Sequence, residues 1–583
     1  MGRQKRRREV APAPVVTVPE PAPVPARPRG VLWRLYRGVH RVVRAHPLAV
    51  ALALAALHVA LALLTFEPRP HTGGDNAAYI ALGRSLLEFG TYTELWDPLL
   101  PPHTKYPPVF PAILAMAMWA GLEPWVQLKF VVIALSATAV AFGFLWMRGR
   151  GRPVLGLCAA LVIALAPGVL REGRWLLSDV PFWTFTMIGL WAFERIRGDG
   201  DWGRFAIGAA AILLAYFTRS AGLPLALAAF GWLAWRRHWY QLAALALIVG
   251  TPALLWWIRS RALGPASYVS EFWLVDPYVP ALGRIGAGDM IVRILENGGR
   301  YIGTHLPVLL GGGITVPLLV VSALTFLLAL VGWVARIRRR ARVAELFLLL
   351  YMGLIFIWPS MWAGERFLLP VLALLLFYAG EGLIRLMRRL APGAALGAGA
   401  LAMATVVLLA MPGLVVAAQY GMECTKRYMD GEQYPCLGGD YWIDFFDMAP
   451  TATEVLPDDA IVMNRKPRLF YGLGGPRGSI YPLTPEPAAF FAAADSVGAR
   501  YVVLDRLDVV SQMYLIPSLE QHPRAFCIML VSSATETVLF SIVADPAFRG
   551  ETPEYTSLTP GFRMCGPELW RSEAIWRSFL GPE

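Results

Sequence analysis

Long runs of apolar residues recur from Pro47 to Gln419, and charged residues stand almost only between these runs. A membrane-spanning helix needs about 20 mostly apolar residues to cross roughly 30 Å of hydrocarbon. The pattern therefore predicts an all-α polytopic membrane domain of eleven spanning helices, with bounds good to about three residues. The predicted spans are 48–66, 125–147, 154–170, 181–196, 204–218, 221–236, 240–258, 307–335, 344–360, 367–385 and 394–418.

Clusters of arginine identify which connectors face the cytoplasm, because loops rich in Lys and Arg resist translocation. We expect a multi-pass protein of the plasma or inner membrane. A basic N-terminal tail holds the start of the chain in the cytoplasm, and eleven crossings then place the C-terminus on the extracytoplasmic side. This topology also accounts for the net charge of +12, so we expect membrane lipids as partners and no nucleic acid. The cytoplasmic clusters lie at 148–152, 195–197, 236–237, 336–340 and 385–389.

Composition divides the chain into three parts. Residues 1–47 form a basic, Pro-rich tail with too little bulky apolar surface to fold, so we expect it to be disordered. Residues 48–419 form the membrane domain, and its first run is an anchor because it lies too far from Met1 for a secretory signal. Residues 420–583 predict a small α/β domain outside the membrane. Its expected strands are 460–464, 500–504, 526–531 and 537–543, with a helix at 485–497.

Four of the five cysteines belong to the outside domain. An even number in an extracytoplasmic domain permits two disulfides in any of three pairings, with free thiols as the alternative. Cys158 lies inside a predicted span and is expected to serve packing. The four outside cysteines are Cys424, Cys436, Cys527 and Cys565.

The first outside loop, 67–124, is long and contains a predicted interfacial helix. Apolar residues recur every three or four positions between Asn76 and Phe89, as in an amphipathic helix lying on the membrane surface. Gly90 is a natural end for it. Asp75 stands at its start, where aspartate commonly caps a first turn. The local sequence leaves open whether Asp75 is a cap or a functional acid.

A second polar feature of this loop is Lys105, which precedes the paired prolines 107–108. Paired prolines can start a helix but cannot continue one, so Lys105 is held just before a helix N-terminus. Together with the free backbone N–H groups there, it predicts a site for a phosphate. An ordinary lysine beside lipid headgroups is the alternative.

Three short outside connectors also contain charged residues close to the hydrocarbon, where charges are costly and usually face a cavity. They predict one outside vestibule suited to an anionic lipid headgroup and to a reaction that needs a base. The charged residues of these connectors are Arg171, Glu172, Arg174, Asp179, Arg219, Glu365 and Arg366.

Four stretches occur in an order and spacing that resemble a known family. They read GGDNAAY at 73–79, KYPP at 105–108, LSDVPF at 177–182 and ERFLLP at 365–370. The chain is similar, over roughly residues 48–385, to GT-C fold transferases of the ArnT and protein O-mannosyltransferase type (glycosyltransferase family 39). This resemblance implies transfer of a sugar from a polyprenyl-phosphate donor to a lipid, protein or glycan acceptor outside the cytoplasm. Direct displacement would invert the anomeric configuration.

The resemblance also implies roles at matching positions. Asp75 matches the first-loop acid taken as the catalytic base, and Asp179 matches a second acid near the donor site. Lys105 matches the lysine near the donor phosphate. Arg366 falls in an Arg-aromatic-x-x-Pro pattern, with Phe367 where tyrosine is often found. We expect the donor phosphate to bind Lys105, Arg174, Arg219 and Arg366, and the substrate pocket to include Tyr79, Tyr106 and Glu365.

No cofactor is predicted. His71, His103, Asp75 and Asp179 have groups that can ligate a metal, but no tight His/Cys spacing indicates a site. Three other functions remain alternatives to transfer of a single sugar. These are a flippase or transporter of lipid-linked sugars, a scaffold that acts through its outside domain, and a ligase that moves a whole glycan.

Overall fold

The structure is a computed structural model that describes residues 31–264, 271–391, 395–532, 535, 537–542, 562 and 565–580. These residues are mostly helical and include one small sheet, which confirms the predicted fold class. Within them six helices are long and apolar enough to cross a membrane, so the chain is a multi-pass membrane protein. The six are Pro47–Leu64, Leu128–Gly149, Trp239–Leu263, Val316–Arg340, Glu365–Leu390 and Ala395–Met429.

Shorter helices of the described residues are also apolar: Val109–Trp119, Pro153–Leu165, Trp202–Thr218, Ser220–Trp235 and Val343–Ile357. The helix Asp179–Phe193, which matches the predicted span 181–196, is buried along most of its length. Two helices occur within residues 67–124, the loop that the sequence predicts to lie outside the membrane. Gly74–Phe89 ends at Gly90 in the left-handed conformation that glycine adopts at no steric cost, and Val109–Trp119 begins directly after Pro108.

The predicted span 307–335 is wrong as one continuous helix. A helix ends at Gly311, Gly312 takes a positive φ of 79°, and a new helix runs from Val316 to Arg340. Three consecutive glycines hold the helical conformation poorly, and the proline after Val316 suits a helix start. The residues before the break are helical back to Ala287, as Ala287–Arg300, Tyr301–His305 and Leu306–Gly311.

A helix at Val31–Ala45 corrects the expectation of a disordered tail for the last part of residues 1–47. Apolar and arginine residues alternate with helical period there, which favours a helix lying along the membrane surface. Val43 is buried, and Arg148 donates hydrogen bonds to the backbone carbonyls of Val43 and Arg44. The rest of the predicted tail, residues 1–30, lies outside the described residues.

The last long helix, Ala395–Met429, extends past the predicted boundary at residue 419. Its 35 residues span about 52 Å, well beyond the hydrocarbon thickness. Its end is joined to the following segment by the disulfide Cys424–Cys436. The helix therefore links the membrane helices continuously to the C-terminal part, and the division at 419 stays a prediction.

The C-terminal part contains a four-stranded sheet of order β1-β2-β4-β3. Strands β1 and β2 are parallel, whereas β4 is antiparallel to both β2 and β3. The strands are β1 Val462–Met463, β2 Tyr501–Leu504, β3 Phe526–Val531 and β4 Val538–Ile542. They agree with the predicted strands within two residues. The helices around the sheet are Asp440–Val455, Pro467–Gly472, Pro487–Val497, Val509–Tyr514, Ile516–Gln521 and Glu573–Leu580.

Two disulfides form in this part, which selects one of the three possible pairings. Cys424 bonds to Cys436, and Cys527 in β3 bonds to Cys565. Cys158 is the free thiol among the described cysteines.

The C-terminal part of the chain packs directly on the loop of residues 67–124. Gly478 donates a backbone hydrogen bond to Trp96, and the indole of Trp125 donates to the carbonyl of Gly472. A Cβ at Gly472 would lie 2.9 Å from Cβ of Ala77 in the helix Gly74–Phe89. The absence of a side chain at Gly472 thus permits this close approach.

A cluster of charged residues is buried where the ends of several membrane helices meet. Its four members are Arg150, Glu194, Glu345 and Tyr378, which we call the inner cluster. Arg150 bonds to Glu194 at 2.9 Å and to Glu345, and Tyr378 donates to Glu345 at 2.8 Å. The side chains of Arg150 and Glu345 are 2% and 0% exposed. An arginine that sequence analysis assigned to a cytoplasmic loop thus belongs to the protein interior.

Candidate active site

Asp75 lies one residue inside the helix Gly74–Phe89, whose N-cap is Gly73. The N-cap position thus belongs to Gly73, so the helix-cap interpretation of Asp75 is wrong. Oδ1 instead accepts a hydrogen bond of 2.7 Å from the hydroxyl of Tyr106. Oδ2 lies 4.0 Å from Nη2 of Arg366. The carboxylate is 38% exposed, so one oxygen remains accessible.

Asp179 stands in the first turn of Asp179–Phe193 and is almost completely buried. Oδ2 lies 2.7 Å from Nη1 of Arg219 and 3.8 Å from Nη1 of Arg366. Arg366 therefore stands between the two acids. The structure brings together four residues from distant parts of the chain, which we call the outer cluster: Asp75, Asp179, Arg219 and Arg366.

Phe367 supports the two arginines of the outer cluster. The guanidinium carbons of Arg219 and Arg366 each lie 5.2 Å from the centre of its ring. An aromatic face attracts cations at this distance. The ring of phenylalanine can therefore hold both arginines although it lacks the hydroxyl of tyrosine.

Tyr79 and Tyr106 connect the outer cluster to the helix that bears Asp75. The hydroxyl groups of Tyr79 and Ser178 lie 2.8 Å apart, and Arg219 donates to Ser178 at 3.2 Å. The rings of Tyr79 and Tyr106 pack at 4.9 Å. Both predicted pocket tyrosines thus contact residues of the site, although they lie mostly beneath its surface.

Lys105 precedes the helix Val109–Trp119, as predicted, but its ammonium group contacts a carboxylate. Nζ lies 3.2 Å from Oε2 of Glu271 and 5.6 Å from the ring centre of Trp362. Both side chains of the Lys105–Glu271 pair are partly exposed. An anion that reached Lys105 would compete with Glu271.

Arg174 and Glu365 form ion pairs with residues that do not belong to the outer cluster. Arg174 is buried, and its guanidinium bonds to Glu67 and to the carbonyl of Thr65 at the end of the first membrane helix. Glu365 bonds to Arg171 and lies 3.5 Å from His305. The structure therefore gives Arg174 a structural partner and places Glu365 in a neighbouring ion pair instead of beside Asp75.

Arg468 is a member of the site that sequence analysis missed. It belongs to the short helix Pro467–Gly472 of the C-terminal domain. Nη1 donates to the hydroxyl of Tyr106 at 3.0 Å and lies 3.9 Å from Oδ1 of Asp75. Its guanidinium also stacks on Trp96. The only sequence signal is a basic segment after a strand, NRKPR at 464–468, which has no pattern that indicates a site in the first loop.

The surroundings of Asp75 favour its ionised form. Burial raises the pKa of a carboxyl group, but here it is outweighed by Arg366, the hydrogen bond from Tyr106, Arg468 and Lys105. The pKa of Asp75 is consequently below its usual value. At neutral pH the residue is a carboxylate that can accept a proton.

The two histidines of the first loop have local partners. His103 contacts Glu94 through Nδ1 at 2.7 Å, and its Nε2 accepts from the backbone of Tyr106. His71 accepts from the backbone N–H of Gly73, and burial lowers the pKa of its ring to about 3. Across the part of the chain that the structure describes, no three His, Cys, Asp or Glu side chains form a group that could hold a metal ion.

Comparison with solved structures identifies the fold. The chain is similar to the oligosaccharyltransferase of Archaeoglobus fulgidus in complex with Zn and sulfate, with a TM-score of 0.51 and 15% identity over 84% of this chain and 72% of that chain. It is also similar to apo ArnT from Cupriavidus metallidurans, with a TM-score of 0.50 and 15% identity over 86% and 99% of the two chains. No protein-family model matches, and no curated protein matches in sequence. The chain has the GT-C fold.

Proposed function

We propose that this protein is an integral-membrane glycosyltransferase that moves a sugar from a polyprenyl-phosphate donor to a lipid, protein or glycan acceptor on the extracytoplasmic face. The observation that carries the proposal is the accessible Asp75 carboxylate held beside Arg366 in the outer cluster. This arrangement joins a proton acceptor to cations that suit a departing phosphate. The GT-C fold agrees with it but does not by itself establish the reaction.

Asp75 is the proposed general base. Tyr106 occupies Oδ1, so Oδ2 is the oxygen that can accept a proton from an acceptor hydroxyl. As that proton leaves, the acceptor oxygen attacks the anomeric carbon and the bond from this carbon to the donor phosphate breaks. Direct displacement inverts the anomeric configuration. General base catalysis of this kind contributes roughly 10²–10⁴-fold to the rate.

Arg219 and Arg366 are proposed to stabilise the negative charge that develops on the leaving polyprenyl phosphate. Preorganised cations lower the barrier because they need no rearrangement at the moment of reaction. Asp179 holds both arginines in place from a buried position. Its proposed role is therefore to position these cations.

Lys105 is proposed to bind the donor phosphate once its ion pair with Glu271 has broken. A phosphate and a carboxylate cannot share the ammonium group without repulsion, so donor binding would separate the Lys105–Glu271 pair. A phosphate beside Arg366 and Lys105 would also offset the charges that lower the pKa of Asp75. Asp75 would then become a stronger base when the donor is present, which favours binding of the donor before the proton transfer.

Sugar transfer with Asp75→Asn tests the proposal. Membranes that contain the native chain or the variant at equal abundance would be supplied with radiolabelled polyprenyl-phosphate sugars, and label on the acceptor fraction would be counted. We expect the variant to insert normally and to lose transfer by roughly 10²-fold or more. Glu88→Gln is the matched control, because Glu88 is an exposed acid near the far end of the same helix.

Three outcomes separate the alternatives. Normal transfer by Asp75→Asn would remove Asp75 from the mechanism. Equal losses in Asp75→Asn and Glu88→Gln would mean that the helix is sensitive to any charge change. Protein-dependent movement of labelled lipid across the membrane, without transfer from any donor, would favour a flippase.

A further inference from the structure

A cavity of about 520 Å³ lies between two membrane helices, far from the outer cluster. It opens between the C-terminal ends of Val316–Arg340 and Leu369–Leu390. Four arginines line it together with an apolar wall. The lining residues are Leu330, Val331, Val334, Ala335, Arg338, Arg339, Arg385, Leu386 and Arg389.

At Gly332 and Gly382 the two helices approach each other more closely than a side chain at either position would permit. A Cβ at Gly332 would lie 2.0 Å from the carbonyl oxygen of Tyr378, and one at Gly382 would lie 2.1 Å from that of Leu328. Arg385 also donates to the carbonyl of Gly332 at 3.0 Å. The arginine-bearing ends are thereby fixed side by side despite their mutual repulsion.

The positive charge around this cavity is not neutralised locally. Glu381 is the neighbouring acid, and its carboxylate already contacts Arg152, Arg336 and Arg385. Within the described residues, the structure gives Arg338, Arg339 and Arg389 no ion-pair partner, although they line the same cavity. The negative ends of two helix dipoles offset only part of this charge.

The apolar wall indicates where an anion would come from. Leu330, Val331 and Leu386 are 56%, 44% and 46% exposed, and all three belong to helices apolar enough to span a membrane. A soluble phosphate gains nothing from contact with these apolar side chains, whereas the acyl chains of a lipid would pack against them. Basic pockets between membrane helices suit the headgroups of anionic lipids.

We propose that this cavity is a binding site for an anionic phospholipid, with the phosphate between Arg339 and Arg389 and the acyl chains along Leu330 and Leu386. The predicted topology assigns the site to the cytoplasmic leaflet, opposite the outer cluster. A lipid there would bridge two helices that end in like charges. The proposal is independent of the transferase activity, because it concerns the other end of the molecule.

Stability titrations with the full chain in a non-ionic detergent test the site. Phosphatidylglycerol, phosphatidylcholine and inorganic phosphate would be compared by the unfolding temperature, and retained lipid would be identified by native mass spectrometry. We expect only phosphatidylglycerol to give a saturable rise. In Arg339→Gln/Arg389→Gln its apparent affinity should fall about 30-fold, since each arginine near a lipid surface contributes about 1 kcal/mol.

Arg340→Gln/Arg388→Gln is the matched control. It removes the same charge from the same two helix ends, but neither residue lines the cavity. Unchanged affinity in this control supports the site, whereas an equal loss in both double variants would show general surface attraction and overturn it. Equal effects of phosphatidylcholine, or a full effect of inorganic phosphate, would also overturn it. If the cavity variant unfolds too early to titrate, its retained lipid relative to the control decides the question.

Discussion

The inner and outer clusters both join arginines to carboxylates at helix ends, yet their central arginines, Arg150 and Arg366, differ in distance to the carboxylates and in exposure. In the inner cluster Arg150 bonds to Glu194 at 2.9 Å, and its side chain is 2% exposed. In the outer cluster Arg366 lies 3.8 and 4.0 Å from its two acids and is 28% exposed. The inner arginine bonds directly to both of its carboxylates, whereas the outer arginine stands between acids without a short bond to either.

This difference shows why charge beside a membrane helix does not by itself indicate function. Removing two charges from water is costly, and a buried pair recovers that cost only through close geometry. The inner cluster has this geometry and leaves no room for a substrate. The outer cluster leaves Asp75 accessible and Arg366 loosely held, so an incoming hydroxyl and phosphate can complete its contacts. We infer a structural role for the first cluster and a chemical role for the second.

Glu345→Gln should give the largest effect on stability. Glu345 is completely buried against Arg150 and Tyr378, and removal of one member of a buried pair costs about 3–5 kcal/mol. We expect a marked fall in the unfolding temperature, measured by size-exclusion after heating, with unchanged transfer per folded molecule. Full stability combined with lost transfer would reverse the distinction between the clusters.

Asp179→Asn should reduce transfer more than stability, because the arginines that it contacts, Arg219 and Arg366, are partly exposed. Hydrogen bonds to charged groups contribute about 1.5–3 kcal/mol, so misplacing Arg219 and Arg366 should lower kcat/KM for the donor roughly 10- to 100-fold. Measured transfer kinetics would show the loss, and Asp179→Glu should recover part of it if the carboxylate acts by positioning the arginines.

The control for this variant is Asp201→Asn, which weakens a partly exposed pair with Arg204. Such pairs contribute at most about 1 kcal/mol, so both transfer and stability should change little. Equal kinetic losses in Asp179→Asn and Asp201→Asn would contradict a specific role for Asp179.

Local patterns account for the parts of the fold that sequence analysis predicted. The strands of the C-terminal domain and its helix Pro487–Val497 follow from apolar runs bounded by Pro and Gly. The helix of Asp75 follows from its period and from Gly90. The break at Gly312 was missed because overall hydropathy stays high across it, and a window of helix length averages over three glycines.

The candidate site was predicted only in part, because a sequence pattern identifies local stretches but not which distant stretches meet. Asp75 and Arg366 belong to recognisable stretches, and the structure brings them together. Arg174 belongs to a similar stretch but bonds to Glu67, an acid that sequence analysis did not single out. Arg468 is separated from Tyr106 by 362 residues, so no local pattern could assign it to the site. Contacts between distant segments need the tertiary structure.

Arg468→Gln should give the smallest effect of the series and a distinctive pH dependence. Arg468 helps to keep the pKa of Asp75 low, so its removal raises that pKa and protonates the base at a higher pH. The acid limb of kcat/KM should therefore move to higher pH, towards or above the usual aspartate value of about 3.9. At neutral pH, where Asp75 stays ionised in either case, the rate should fall only about tenfold through loss of the bond to Tyr106.

Arg477→Gln is the matched control for this last variant. Arg477 is an exposed cation of the same part of the chain, and its side chain makes no hydrogen bond or ion pair within the described residues, so its removal should leave the pH profile unchanged. A shifted acid limb in Arg468→Gln alone would mean that the C-terminal domain tunes the base of the membrane domain. An unshifted limb with reduced stability would instead make Arg468 a docking contact, and the outer cluster would then act without help from the C-terminal domain.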